Sequence, residues 1–150
     1  MKRIASFSID HEKLLPGLYI SRIDQEIITY DLRMTRPNLE PVLSTGTIHV
    51  IEHIGATYLR NSAYGGNIVY FGPMGCRTGF YLLVRDSVSL EDLQLLLIET
   101  FSFIKDFTGD IPGASPKECG NWRDMDLELA KATSRDYLQV LKSCKAGNYI

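Results

Sequence analysis

The sequence predicts an α+β fold, a small antiparallel sheet packed against helices. Three observations carry this expectation. Strand-like segments come in close pairs joined by turn residues, so they return as hairpins instead of parallel crossovers. Helical segments have cap residues and apolar positions at helical spacing. No glycine-rich phosphate loop of dinucleotide or Walker type is present, which removes the usual mark of a parallel nucleotide-binding sheet.

The elements follow in order. Gly17 to Ile23 is expected as the first strand, turned back through Asp24 and Gln25. Ile28, Tyr30, Leu32 and Met34 alternate with Ile27, Thr29, Asp31 and Arg33, the period of a strand with one buried face. Arg36-Pro37-Asn38 breaks the extended run. Ser44 or Thr45 caps a helix reaching about Asn61, with Ile48, Ile51, Tyr58 and Leu59 at helical spacing. Two further strands, Asn67 to Phe71 and Gly79 to Val84, flank the tight segment Gly72 to Arg77. Ser89-Leu90-Glu91-Asp92 opens a second helix in the manner of a capping box, with its stop expected at Gly109. A Pro/Gly-containing loop from Ile111 to Gly120 leads into a last helix, roughly Asp126 to Ser143. Its inner side carries Leu127, Ala130, Ser134, Tyr137, Leu138 and Leu141.

At 150 residues, with no repeat or linker, the chain is expected to form a single domain over 1–150. Sixteen basic against 18 acidic residues give a net charge of −2 without a long run of one sign, which offers no nucleic-acid backbone or anionic membrane a matching surface. The richest apolar stretch, Leu93 to Ile104, is interrupted by Gln94, Glu99, Thr100 and Ser102, so no membrane span is expected. Asp10, His11, Glu12 and Lys13 arrive before any apolar signal region could form, and a cytoplasmic location is the expectation. Cys76, Cys119 and Cys144 are odd in number and widely spaced, which favours reduced thiols over a disulfide scaffold.

Two of the three histidines lie four residues apart in His49-Val50-Ile51-Glu52-His53. On a helix both imidazoles share one face, close enough to grip one metal ion. Glu52 projects near that face, where a carboxylate can exchange protons with a bound group. Cys119, in a loop that can bring a thiolate to the metal, is the candidate third ligand. Two imidazoles and one thiolate with an open position make a site of catalytic type. Cys76, between Gly75 and Arg77 in a turn, is a candidate base or nucleophile if a cation lowers its thiol pKa. The plainer readings are two ordinary helix histidines, an apolar filler at Cys119 and an inert loop cysteine at Cys76. Cys144 reads as structural or incidental.

With these residues in place, the sequence resembles the S-ribosylhomocysteine lyase (LuxS) family over nearly its whole length. Ser6-Phe7 with Asp10-His11 is similar to that family's opening signature, and His49 to His53 to its metal helix. Pro73-Met74-Gly75-Cys76-Arg77-Thr78-Gly79-Phe80-Tyr81 is similar to its catalytic loop, and Ile111-Pro112-Gly113-Ala114 with Cys119-Gly120 to its third-ligand loop. Two positions depart from the pattern: Tyr70 stands where many members have an acidic residue, and Met125 where they often have histidine.

The resemblance implies a metallohydrolase-like α+β fold and a homodimer with two sites at its interface. It implies iron(II), often replaced by zinc in purified material, held by His49, His53 and Cys119. It assigns general acid/base work to Cys76 and Glu52. It assigns substrate contacts to Ser6, His11 and Arg33, with Ser6 and His11 reaching a neighbouring subunit's site. The implied activity is cleavage of S-ribosylhomocysteine into homocysteine and the dicarbonyl precursor of autoinducer-2, which serves homocysteine recycling and quorum sensing.

Two other readings are open to the motif. One is an inverted-motif zinc peptidase, which also uses HxxEH but with a carboxylate as third ligand. The other is a non-catalytic interaction module in which metal only staples the fold, with a fourth ligand such as Cys76 closing the site.

Overall fold

The computed structural model describes residues 1–2, 4 and 7–149; Ser6, one of the expected substrate contacts, lies outside them. Strands β1 (Gly17–Asp24) and β2 (Ile27–Arg33) form a hairpin closed by Gln25 and Glu26, with Gln25 in the left-handed region at φ 53°. Helix α1 (Thr45–Asn61) follows, then β3 (Ile68–Pro73) and β4 (Gly79–Arg85), α2 (Leu90–Lys105), α3 (Leu127–Ser143) and β5 (Gly147–Asn148). The sheet order is β3-β4-β2-β1-β5.

Four of these strands pair antiparallel as expected, but β5 runs parallel to β1, so the sheet is mixed. That strand is two residues long and has no sequence period to announce it. The second helix also ends earlier than its glycine stop. It leaves helical geometry at Asp106, and Gly109 instead supports the following turn at φ 105°.

The helix starts match their chemistry. Ser44 Oγ accepts from the Thr47 N–H, Ser89 Oγ from Asp92 and Asp126 Oδ1 from Leu129, each satisfying an orphan donor of a first turn. All three helices contribute to one core. On the sheet, Leu18, Leu32 and Phe80 lie in register across three strands, as do Tyr30 and Leu82 across two. These pack with Val50, Ile51, Ile54, Leu97, Phe101, Leu138 and Leu141 from the helices. Of the expected inner side of α3, Ala130, Ser134, Tyr137, Leu138 and Leu141 are buried, and Leu127 is partly covered against the core.

The sheet's other face corrects one expectation. Alternation in β2 implied one buried side, yet Asp31 and Arg33 are 0% and 2% exposed. Tyr19, Asp31 and Tyr81 align across β1, β2 and β4, and Tyr149 closes over them after β5. Two charged side chains can be buried there because they pair with each other, Arg33 Nη2 donating to Asp31 Oδ2 at 2.5 Å.

Candidate active site

Helix α1 presents His49 and His53 one turn apart, with ring centroids 4.8 Å from each other. The loop between α2 and α3 folds back against this face. His53 Nδ1 donates to the Pro112 carbonyl at 2.7 Å. A carbonyl only accepts, so this bond places the proton on Nδ1 and leaves the Nε2 lone pair free. His49 Nδ1 donates to Asp124 Oδ1 at 2.7 Å, with the same consequence for its Nε2. Cys119 Sγ lies 3.3 Å from His49 Nε2.

Two glycines allow this approach. A Cβ on Gly46, in the first turn of α1, would sit 2.2 Å from the Asp124 carbonyl oxygen; glycine lets the loop rest there and aim Asp124 at His49. Gly113 has φ 71°, and a Cβ on it would come within 3.1 Å of His53 Nδ1.

The three donor atoms of His49, His53 and Cys119 lie within 4.8 Å of one another. Bond lengths of about 2.0 and 2.3 Å to nitrogen and sulfur put the N···S edge of a tetrahedral site at roughly 3.5 Å. The 3.3 Å separation of Cys119 Sγ and His49 Nε2 therefore suits one shared ion. Among the described residues no fourth histidine, cysteine or carboxylate joins the group. Three protein donors are the ligand count of catalytic zinc-type sites, whereas stapling sites use four.

Glu52 and His53 line one cavity together with Ala56, Phe71, Pro112 and Gly113. Cys76 lines a different one, of about 490 Å³, with His11, Arg33, Glu40, Thr78 and Tyr81 among its walls. The two cavities have no lining residue in common. The expected fourth-ligand role for Cys76 in a stapled module finds no support, since Cys76 is not part of the donor group. Neither Tyr70 nor Met125 lines either cavity. Tyr70 is exposed on β3 with its ring over Gly72, and Met125 packs against the core.

Around Cys76 the electrostatics favour a thiolate. Partial enclosure pushes the thiol pKa up, but the Thr78 hydroxyl, the Thr78 backbone N–H and the Arg33 guanidinium outweigh it, and the net shift is downward. Thr78 Oγ1 is 3.1 Å from Cys76 Sγ. Because Arg33 Nη1 already donates to that oxygen at 2.5 Å, the hydroxyl proton is free to point at sulfur. His11 Nδ1 donates to the Ile9 carbonyl at 3.0 Å, which leaves its Nε2 as the acceptor.

The structure thus brings together His49, His53 and Cys119 with Glu52 close by on the same helix, and separately His11, Arg33 and Cys76. Sequence reasoning assigned no role to Asp124, the Pro112 carbonyl, Thr78 or Asp31. Asp124 lies five residues after Cys119 and Thr78 two after Cys76, and that closeness was the one available signal. Cys144 is half-buried and packs against the core.

Comparison with known proteins agrees with this geometry. The model of the family described as S-Ribosylhomocysteinase (LuxS) matches residues 4–147. A protein of Finegoldia magna named S-ribosylhomocysteine lyase is 49% identical, covering 100% of this chain and 98% of its own length. One of the same name from Borrelia garinii subsp. bavariensis is 52% identical, covering 99% and 98%. Another from Clostridium beijerinckii is 50% identical over 92% and 90%. With a family match across nearly its full length and the donor set in place, the chain belongs to the S-ribosylhomocysteinase (LuxS) family.

Proposed function

We propose that this chain is a metal-dependent carbon–sulfur lyase that cleaves S-ribosylhomocysteine into homocysteine and 4,5-dihydroxy-2,3-pentanedione, the autoinducer-2 precursor. The observation that carries the reading is the His49–His53–Cys119 donor set in a chain whose relatives, 49% to 52% identical, are named for this reaction. Two imidazoles and one thiolate suit iron(II) or zinc(II), and iron(II) is the proposed resident metal. When bound, such an ion supplies Lewis-acid polarisation to the carbonyl and neighbouring hydroxyl oxygens of the sugar.

The remaining chemistry falls to side chains. The open-chain sugar must move its carbonyl from C1 to C2 and then to C3. Each shift takes a proton from one carbon and returns one to its neighbour. The Cys76 thiolate is the proposed carrier of these carbon-bound protons; partial burial opposes the charged form, but the Thr78 hydrogen bonds and the Arg33 guanidinium bring the pKa below that of an ordinary thiol. Glu52, beside the donor set, is proposed to move the oxygen-bound protons. With the ketone at C3, the C4 proton becomes acidic; its removal expels the homocysteine sulfur from C5 as the C4–C5 double bond forms. Arg33 and His11, with Ser6, are the proposed substrate contacts. Arg33 and His11 line the Cys76 cavity, which supports that assignment.

A homodimer with shared sites is part of the proposal. Its support is the division of the machinery: Glu52 and His53 of the donor set border one cavity, and His11, Arg33 and exposed Cys76 another. Two copies that bring one chain's donor set to the other's thiol cavity would complete two sites. Three free cysteines suit a reducing, cytoplasmic setting, where the products would enter homocysteine recycling and autoinducer synthesis.

The activity is tested by free-thiol release from S-ribosylhomocysteine with anaerobic, iron(II)-loaded protein. Wild type releases thiol, whereas Glu52→Gln keeps its metal and loses roughly 10²- to 10⁴-fold in turnover. No release by folded, loaded wild type would refute the function. Sharing of sites is tested by mixing Cys76→Ala with His49→Ala chains. Recovered activity in the hybrid dimer is expected, and a hybrid as inactive as its parents would place both halves in one chain.

A further inference from the structure

Cys76 connects to Tyr149, beside the β5 edge of the sheet, through a line of polar contacts along one face. Its Sγ is 3.9 Å from Arg33 Nη1, which also donates to Thr78 Oγ1 at 2.5 Å. Arg33 Nη2 donates to Asp31 Oδ2 at 2.5 Å. The same carboxylate oxygen accepts from Tyr149 Oη at 2.6 Å. Strand β5 delivers Tyr149 to this place, and its ring stacks on Tyr19 with centroids 5.0 Å apart.

We propose that Tyr149 is a positioning residue for the Cys76 thiol, acting through Asp31 and Arg33. The inference rests on the reading of Cys76 as the carrier of carbon-bound protons. Arg33 is pulled two ways, toward Asp31 behind it and toward the Thr78–Cys76 turn in front. The Tyr149 hydroxyl shares Asp31 Oδ2 with the guanidinium and draws off part of its charge. Arg33 is thereby left with donor capacity and field for Thr78 and the sulfur. Without that hydroxyl, Asp31 would hold Arg33 more tightly, and its undiluted charge would oppose a thiolate at Cys76.

Burial makes the effect large. Asp31 and Arg33 are almost wholly enclosed, where each hydrogen bond is felt more strongly than in water. Stability does not account for the arrangement. A buried ion pair is a weak stabiliser, and here Asp31 Oδ1 and Arg33 Nε have no hydrogen-bond partner among the described residues. Burial first, and the neighbouring Asp31 second, push the Tyr149 hydroxyl pKa well up, so it remains a donor across the neutral range. Among the described residues, the other charged or titratable groups facing the Cys76 cavity are His11, Glu40 and Tyr81. Arg77, next in sequence, turns its Nη1 toward the Leu43 carbonyl at 3.4 Å. Removing the Tyr149 hydroxyl deletes none of these groups.

The test uses metal-loaded full-length protein. Iodoacetamide alkylation of Cys76 is followed against pH for wild type and Tyr149→Phe, with Cys76→Ala correcting for the other thiols. The pH profile of kcat/KM for thiol release is measured beside it. In Tyr149→Phe the alkylation midpoint is expected to rise by about half a unit to one unit, a roughly three- to tenfold loss of rate below the midpoint. The acid limb of kcat/KM should move in step. Tyr19→Phe removes the hydroxyl of the stacked neighbour, which donates to the Leu15 carbonyl, and should keep the wild-type midpoint. An unchanged midpoint in folded Tyr149→Phe overturns the proposal, as does an equal shift in Tyr19→Phe. Failure of the functional reading looks different. Cys76→Ala that still releases thiol would remove Cys76 from the reaction, while the alkylation midpoints would still decide the positioning role.

Discussion

Asp124 offers the most informative perturbation of the donor set. Its carboxylate accepts from His49 Nδ1 at 2.7 Å, and the two side chains are 30% and 17% exposed. The bond holds the proton on Nδ1, fixes the ring plane and makes Nε2 a better donor to a metal. Outer-sphere partners of this kind are worth about 10- to 100-fold in metal affinity, or roughly 1.4 to 2.8 kcal/mol. Asp124→Ala removes both charge and acceptor, and the full range is expected. Asp124→Asn keeps an acceptor oxygen and loses only the charge, whose effect solvent partly screens at this exposure, so a loss near the lower end is expected. Zinc(II) competition against a chromophoric chelator measures both variants, with His49→Ala as the lower bound. Wild-type affinity in folded Asp124→Ala would refute the reasoning that this carboxylate orients His49.

Three further outcomes follow from the same structure. Gly113→Ala places a Cβ 3.1 Å from His53 Nδ1 at a φ of 71°. It should cost about 1 kcal/mol in thermal unfolding and also weaken metal binding; unchanged metal affinity would mean the Pro112 carbonyl does not hold His53. Thr78→Val removes a hydrogen bond that lowers the Cys76 pKa. A lowered pKa means thiolate is present above the midpoint and lost as pH falls through it, so the variant should lose alkylation at higher pH than wild type. An unmoved midpoint would take Thr78 out of the account. Tyr137→Phe leaves the buried Gly17 carbonyl without its hydroxyl donor at 2.9 Å and should cost about 1–3 kcal/mol in urea unfolding. A variant as stable as wild type would show that the carbonyl finds another partner.

What the sequence made legible was local. Ser44 and Ser89 set helix starts because capping is a contact within one turn, and the helical spacing in α3 picked out its buried side chains, with Leu127 only partly covered. The His49–His53 pair was legible for the same reason, since helical geometry alone puts both rings on one face. What stayed hidden depends on contacts between distant segments. Asp31 and Arg33 alternate with apolar neighbours like a solvent-facing side, and nothing in that pattern tells that Tyr149, 118 residues after Asp31, covers them. Asp124 is 75 residues from His49, and a loop carboxylate has no periodicity to mark it. The parallel strand β5 is too short to carry any pattern. The expected helix stop at Gly109 failed because glycine permits a left-handed turn without requiring the helix to reach it.

The most direct measurement is a product balance for S-ribosylhomocysteine turned over in deuterated water by iron(II)-loaded protein. Carbonyl migration followed by β-elimination predicts homocysteine and the dicarbonyl sugar fragment in equal amounts, the fragment carrying deuterium at carbon, and neither product from Cys76→Ala. Homocysteine released with intact ribose and no carbon-bound deuterium would contradict the account, because the sulfur would then have left by hydrolysis without any proton moved at carbon.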